Sequence, residues 1–443
     1  MDQARQEATI SCPKGHENTL GLRECVECGL PLIDCMQEMK FLIRRYTDKS
    51  SYVVPYIESS FVGVGTMGNQ VITDLYGVFG DEVTGVSFLN IDSMVSGNTI
   101  PEINTKGVRF YQHIISEAAV GGMIYCGLGE RAALQDIQLE SYLHMSGIRR
   151  EDPGQTIFIS NAVGGGTGSG VGPTMVKLSK SCNPRASVLA VTVIPSGSEA
   201  DHVHLNAFIG LSKSIRFDGD INADMVLLIS YDKLRHIRGV GRSGEELKAD
   251  KVITYLLRLF ALNLYQSGIT RMCRISRGTK VQVFIPCLAI GRSIEIFGDL
   301  SNILESAGAY PMANVIFQNI MSSYLILRVP RTLSADFTEE IVSEAFEKWN
   351  RKHVPAISSS LVQILKTDER SDRIDVCILL GGDDLSSSIT DTISGYRRFK
   401  SSISNEAQWD EYGLSIVAAN EAEQIVEGYD KNMQTLRSSK MGS

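Results

Sequence analysis

Five short runs in the first 230 residues are almost unbroken in apolar and β-branched side chains: SSFVGVG (59–65), VSFLN (86–90), TIFIS (156–160), SVLAVTVI (187–194) and MVLLIS (225–230). A half-solvated strand alternates apolar and polar residues, whereas a run without alternation predicts a strand covered on both faces. Helical patterns begin between these runs, near Met67, Arg131 and Thr167. Strands and helices therefore alternate, which predicts an α/β fold with a Rossmann-like parallel sheet and helices on both sides. The glycine-rich turns fall at the carboxyl ends of strands and open onto helix N-termini, the edge at which such sheets bind ligands.

VQVFIPCLAIG begins a second region, with a strand–helix–strand course in SYLILRVP, SADFTEEIVSEAFEKWNRK, IDVCILLGG and LSIVAAN. Pro330 marks a break, and Ser334 ahead of Glu339 reads as a helix start. The tail EAEQIVEGYDKNMQTLRSSKMGS is one amphipathic helix with a frayed end, placed either to pack on the body or to recruit a protein partner.

Composition narrows the class. The chain has 443 residues, 43% of them apolar and 21% charged, with a formal charge of −8 at pH 7. At about 150 residues per domain this length suggests two or three domains. The acidic balance argues against a nucleic-acid surface over the whole protein. No apolar run reaches the roughly 18 residues of a membrane span, and MDQARQEATI is not a signal peptide, so a soluble cytoplasmic protein is expected.

Nine scattered cysteines do not suggest a disulfide framework. Four crowd the first 35 residues, and CPKGHENTLGLRECVECGLPL presents Cys12, His16, Cys25 and Cys28 as two knuckles. Thiolate and imidazole ligands at that spacing suit one tetrahedral zinc, and so short a segment has no apolar core to fold around. The segment resembles the zinc-ribbon family in its C-P-x-G-H and C-x-x-C-G halves. Cys35 and the five later cysteines read as small core residues.

Two glycine turns carry the candidate chemistry. VGVGTMGNQVITDLYG sets Gly63, Gly65 and Gly68 in a G-x-G-x-x-G arrangement after a strand, and NID supplies Asp92 about 24 positions after Gly68. Dinucleotide-binding domains use the same glycines, so an NAD(P)-dependent dehydrogenase is one reading. NAVGGGTGSGVGP, Asn161 to Pro173, is richer, with six glycines around Thr167 and Ser169. Such a loop offers unobstructed N–H groups and hydroxyls, enough to wrap a di- or triphosphate at a helix N-terminus. No lysine follows, which excludes a P-loop.

GGGTGSG resembles the signature loop of the tubulin/FtsZ superfamily, and its neighbours fall in that family's order over roughly Tyr52 to Asn420. The resemblance implies a GTP-binding domain, a long central helix over GEELKADKVITYLLRLFALNLYQ, Gly244 to Gln266, and a smaller α+β activation-like second domain. It assigns Gly63, Gly65, Gly68 and Asn69 to the first phosphate loop, and Asn90 and Asp92 to the loop after the second strand. Gly121 and Gly122 of AAVGGM fall in a diverged γ-phosphate-sensing loop, and Gly164, Gly165, Gly166, Thr167, Gly168 and Ser169 in the signature loop. Glu199 and Asp201, in VTVIPSGSEADHVHLNAFIGLSKS, fall on the ribose side. Asp250 takes the base-edge position, where a carboxylate accepts from N1 and the 2-amino group of guanine. The family's stacking position carries Glu246; Tyr231, which stands where the family commonly has asparagine, is either a replacement stack or an ordinary strand-end residue.

The expected organisation is a zinc ribbon (1–36), a nucleotide-binding domain (37–243), the central helix (244–266), the second domain (267–420) and a C-terminal helix and tail (421–443). The resemblance implies GTP/GDP and magnesium as ligands, zinc being added by the N-terminal segment, with head-to-tail self-association into filaments. In the family an acidic motif after the central helix positions the attacking water. Here no acidic residue occurs between Asp250 and Glu295, while Arg271, Arg274, Arg277 and Lys280 make the segment basic. Slow or absent hydrolysis is therefore expected, and no catalytic residue is assigned. A non-polymerising nucleotide-sensing adaptor, holding a partner through the zinc ribbon, is the other alternative.

Overall fold

The computed structural model describes residues 9–11, 16–19, 26–27, 59–79, 86–93, 109–115, 124–148, 154–236, 249–262, 268–367 and 371–441. Strands β1 (Thr9–Ser11) and β2 (Glu17–Thr19) pair antiparallel near the N-terminus. Next come β3 (Ser59–Val64), α1 (Gly65–Phe79), β4 (Val86–Asp92), β5 (Arg109–Ile114), α2 (Cys126–Gln135) and α3 (Leu139–Met145). They are followed by β6 (Thr156–Ala162), α4 (Gly172–Cys182), β7 (Ser187–Ile194), α5 (Asp201–Ile215), the hairpin β8 (Arg216–Phe217) and β9 (Asp220–Ile221), and β10 (Met225–Ser230). Apart from short helical turns, the later elements are α6 (Ala249–Leu262), α7 (Gly268–Thr279), β11 (Val283–Ser293), α8 (Leu300–Gly308), β12 (Ser322–Pro330), α9 (Glu339–His353), β13 (Ser359–Thr367), β14 (Arg373–Gly381), α10 (Thr390–Ser402) and α11 (Ile416–Met441).

Ten strands form one sheet in the order β13-β12-β14-β11-β10-β7-β6-β3-β4-β5. From β10 to β5 every pairing is parallel. The five apolar runs of the sequence are the strands buried on both faces. From β3 the chain steps one way to β4, and from β6 it steps the other way to β7. Right-handed crossovers therefore send α1 and α4 to opposite faces. On the α1 face, Phe61, Phe88 and Phe158 stand in register on three neighbouring strands, with centroids 5.7 and 4.7 Å apart. Phe260 of α6 stacks on Phe158 at 6.1 Å. Each such pair adds about 0.5–1.5 kcal/mol beyond area burial.

The junction with the second half is narrow: β10 and β11 share two residue pairs, Val226↔Val283 and Leu227↔Phe284. Beyond it β14 runs antiparallel to both of its neighbours, β11 and β12, with β13 parallel to β12. A second apolar cluster sits here, with Ile303 and Leu304 of α8 and Phe346 and Trp349 of α9 packed over Leu325, Leu327 and Ile378.

Several expectations change. LSIVAAN is not a strand: α11 begins at Ile416 and runs unbroken to Met441, because Ala419, Ala422, Val426 and Met433 repeat at helical spacing and are buried. The helix of the second half is capped by Thr338, whose hydroxyl accepts from the Ile341 N–H at 3.3 Å, and not by Ser334. The helix expected near Arg131 starts at Cys126, five residues earlier. Strands β5 and β13, at the two margins of the sheet, have no counterpart among the expected elements.

Candidate functional site

Because α1 and α4 leave neighbouring strands for opposite faces, a crevice opens beyond the carboxyl ends of β3 and β6, where doubly wound sheets bind ligands. Both glycine turns lie there. In the first, a Cβ on Gly63 would stand 2.6 Å from the Gly68 carbonyl oxygen, and one on Gly68 would stand 2.2 Å from that of Ser160. Gly65 has φ +72°. These glycines let the first turn of α1 sit directly against β3 and β6, so its N–H groups end at the crevice.

The second loop divides in two. A Cβ on Gly168 would lie 2.0 Å from Ala162 O, one on Gly170 2.1 Å from Cys126 O, and one on Gly172 2.5 Å from Asn161 Nδ2. These three glycines are spacers that let a π-helical turn, Thr167–Val171, pass between β6 and α2. Gly165 is different, since nothing lies within 4 Å of its Cβ position. The open position of the loop is therefore Gly165, since a Cβ on Gly164 would lie 3.0 Å from Val203 Cγ1 and Gly166 is buried; the loop leads into the helix that continues as α4. Ser169 is buried against Gly210 of α5, whose Cβ position is 2.8 Å from Ser169 Cα.

Asn69, Asn90 and Asp92 are brought together. Asn69 Oδ1 accepts from Ile91 N, and its Nδ2 donates to Ile91 O and Asp92 Oδ2, all at 3.2 Å. Asn90 Nδ2 donates to Thr73 Oγ1 at 3.0 Å and to Asn69 O at 3.4 Å. The two asparagines thus pin the end of β4 to α1. Asn90 Oδ1 is buried with no hydrogen-bond partner among the described residues. Ser93 Oγ and Thr167 Oγ1 lie 2.8 Å apart, joining this turn to the glycine loop.

Two asparagines that the sequence reading missed hold the loop. Asn161 Nδ2 donates to Gly168 O at 2.8 Å. Asn206 of α5 donates to Ile124 O at 2.7 Å and Gly164 O at 2.9 Å, and accepts from Cys126 N at 2.8 Å. An apolar helix face interrupted by one fully buried asparagine was the available signal.

The ribose-side residues separate. Glu199 is exposed, whereas Asp201 at the start of α5 pairs with Arg398 of α10, whose Nη2 and Nε donate at 2.7 and 3.0 Å. Those hydrogen bonds hold the Asp201 carboxyl below its usual range. The Asp232 carboxyl is likewise held low, first by the Gly197 N–H that it accepts at 2.9 Å. Tyr231, at the end of β10, keeps 46% of its surface exposed, with the Arg235 guanidinium 6.0 Å over its ring. Asp250 is the second residue of α6.

Gly121 and Gly122 lie outside the described residues, as do Cys12, Cys25 and Cys28. Of the four candidate zinc ligands His16 alone is described, its Nε2 3.5 Å from Glu27 Oε2. Among the described residues no group of three or more His, Cys, Asp or Glu side chains could hold a metal, and no helix is long and apolar enough to cross a membrane.

The basic segment after α6 is also dispersed. Arg271 and Arg274 are exposed on α7, but Arg277 pairs with Asp224 at 3.0 Å, and Lys280 lies beyond the helix end.

Residues 58–239 match the Tubulin/FtsZ family, GTPase domain. That stretch is similar to a tubulin/FtsZ GTPase domain. Solved structures agree on the fold. CetZ1 from Haloferax volcanii, a GDP-bound monomer, superposes with a TM-score of 0.61 at 16% identity, covering 78% of this chain and 100% of that one. CetZ2 from the same organism, a GTPγS-bound protofilament, gives 0.59 at 17% identity, covering 78% and 100%. An FtsZ mutant from M. jannaschii gives 0.58 at 17%, covering 81% and 98%. Among curated proteins none matches the sequence. The matched stretch spans β3 to the end of β10 and so holds both glycine turns.

Proposed function

We propose that this chain is a guanine-nucleotide-binding cytoskeletal protein that assembles head to tail into filaments and hydrolyses GTP slowly or not at all. The observation that carries the reading is the opposition of two ends of one sheet. The glycine turns close the carboxyl ends of β3 and β6, while α7 runs along the amino ends, Thr270 Oγ1 meeting Thr156 Oγ1 at 3.2 Å. Copies stacked in one orientation bring α7 of one against the glycine edge of the next. Such a contact is heterologous and does not close, so it propagates as a filament.

In this reading the phosphates lie on the N–H groups of Gly164 to Gly166 and the helix N-termini behind them. The open space at Gly165 and the orphaned Asn90 Oδ1 fit a polar ligand in the crevice. Asp92 supplies a carboxylate for the accompanying magnesium, Gly121 and Gly122 approach the terminal phosphate, and Asp250 reads the guanine edge. Asp201 is committed to Arg398, so ribose contact falls to Glu199. Tyr231 offers an exposed ring for stacking. The N-terminal segment folds on one zinc held by Cys12, His16, Cys25 and Cys28.

Phosphoryl transfer to water needs a group that places the nucleophile. With no carboxylate between Asp250 and Glu295, α7 presents a neighbour with Arg271 and Arg274, which stabilise charge but cannot orient water as a carboxylate does. Sedimentation and negative-stain microscopy with GTP and Mg²⁺ test the reading. Protofilaments with phosphate release far below one per subunit per minute are expected; a protein monomeric at every concentration and nucleotide contradicts it.

A further inference from the structure

At the amino-terminal end of β10, about 20 Å along that strand from the glycine edge, lies a second cleft of about 550 Å³. Its walls come from the β8–β9 hairpin, the end of α7, the start of β11 and one face of α11. That volume is typical of small-molecule sites. Three basic side chains line it against two acidic ones. Arg277 is already committed to Asp224, which also accepts from Lys180 at 2.9 Å. The basic groups left for a ligand are therefore Arg216, steadied by its bond to Gly219 O at 3.3 Å, and Lys280, which has no ion-pair partner among the described residues.

The rest of the lining is built for an organic body. Tyr429 is fixed by its hydroxyl, which accepts from Val283 N at 3.2 Å, and Ile221 and Ile425 add apolar surface to the lining. Gln282 uses its amide nitrogen on the carbonyls of Ile215 and Ala223, leaving its oxygen as the free end. Two local penalties converge on this cleft. Lys280 holds a left-handed φ of +61°, where glycine is the usual residue after a helix. Gly428 sits in the interior of α11, where alanine would favour the helix, and nothing lies within 4 Å of its Cβ position. The first aims an ammonium at the cleft and the second keeps the cleft open. Local costs of this kind persist at functional sites.

The geometry points to a binding site for a small organic anion with an apolar body, such as an aryl or alkyl carboxylate, sulfonate or phosphate ester. The net lining charge favours a monoanion. The site is independent of the nucleotide reading, since none of its residues lies on the glycine edge.

The probe is 8-anilinonaphthalene-1-sulfonate, titrated by fluorescence into the full chain with GDP present. One saturable site is expected. Gly428→Phe, which fills open space, and Lys280→Glu should each weaken it at least tenfold, while Lys348→Glu, exposed on α9 and off the cleft, leaves it unchanged. Lys280→Gly should raise the melting temperature and still weaken the probe about tenfold, a combination that a purely structural lysine would not give. Absence of a saturable site, or full affinity in Gly428→Phe, overturns the proposal.

Discussion

Ser93 and Thr167 are 74 residues apart in sequence, yet their hydroxyl oxygens lie 2.8 Å apart at the crevice. The bond couples the turn after β4 to the first residue of the π-helical turn, so it fixes how the glycine loop faces a ligand. Thr167→Val removes the hydroxyl at nearly constant volume. Titration with a fluorescent GTP analogue should show affinity falling roughly 5- to 20-fold, the scale of one lost hydrogen bond. Ser93→Ala should do the same, and the double variant should lose little more, because both remove one interaction.

The glycines separate into spacers and ligand-facing positions, and the two kinds should fail differently. Gly68→Ala places a Cβ 2.2 Å from Ser160 O. It should cost about 3 kcal/mol or more in urea unfolding, since neither backbone can yield. Gly165→Ala meets nothing within 4 Å and should leave stability within about 0.5 kcal/mol while weakening nucleotide binding.

His204 on α5 is fully buried against Gly395 of α10, facing Asp201, Asp391 and Arg398. Burial pushes its imidazole below the ordinary value, ahead of the opposing effect of the two carboxylates. The unfolded chain therefore takes up the proton first as pH falls. Stability contributed by the neutral ring is complete above about pH 6.5 and declines below it. Melting temperatures at pH 7.5 and 5.5 should differ more in wild type than in His204→Gln.

Much of this was legible in the chain, and the parts that were not share a cause. β3, β4, β6, β7 and β10 announce themselves because strands covered on both faces must be apolar throughout. β5, RFYQHI, and β13, SSLVQILKT, were invisible because they are the two margins of the sheet and keep one side partly in solvent. The glycine motifs gave the crevice its position, but six glycines in a row of thirteen looked alike until packing distinguished Gly165 from Gly168, Gly170 and Gly172. The pairing of Asp201 with Arg398 could not be read from sequence, since the two lie 197 residues apart.

The N-terminal segment should behave as a separate folding unit. Cys25→Ser is expected to remove about one equivalent of zinc, measured by atomic emission, with nucleotide affinity retained, because structural metal binding energy is local folding energy. Loss of nucleotide binding in the folded variant would refute that independence.

The central claim is a guanine nucleotide at the crevice, and the most direct measurement is chromatographic identification of the nucleotide released by acid from natively purified protein. GDP or GTP is expected at close to one equivalent, absent from Gly165→Trp, which fills the open loop. An adenine or nicotinamide nucleotide in the wild-type extract, or a guanine nucleotide undiminished in Gly165→Trp, would contradict it.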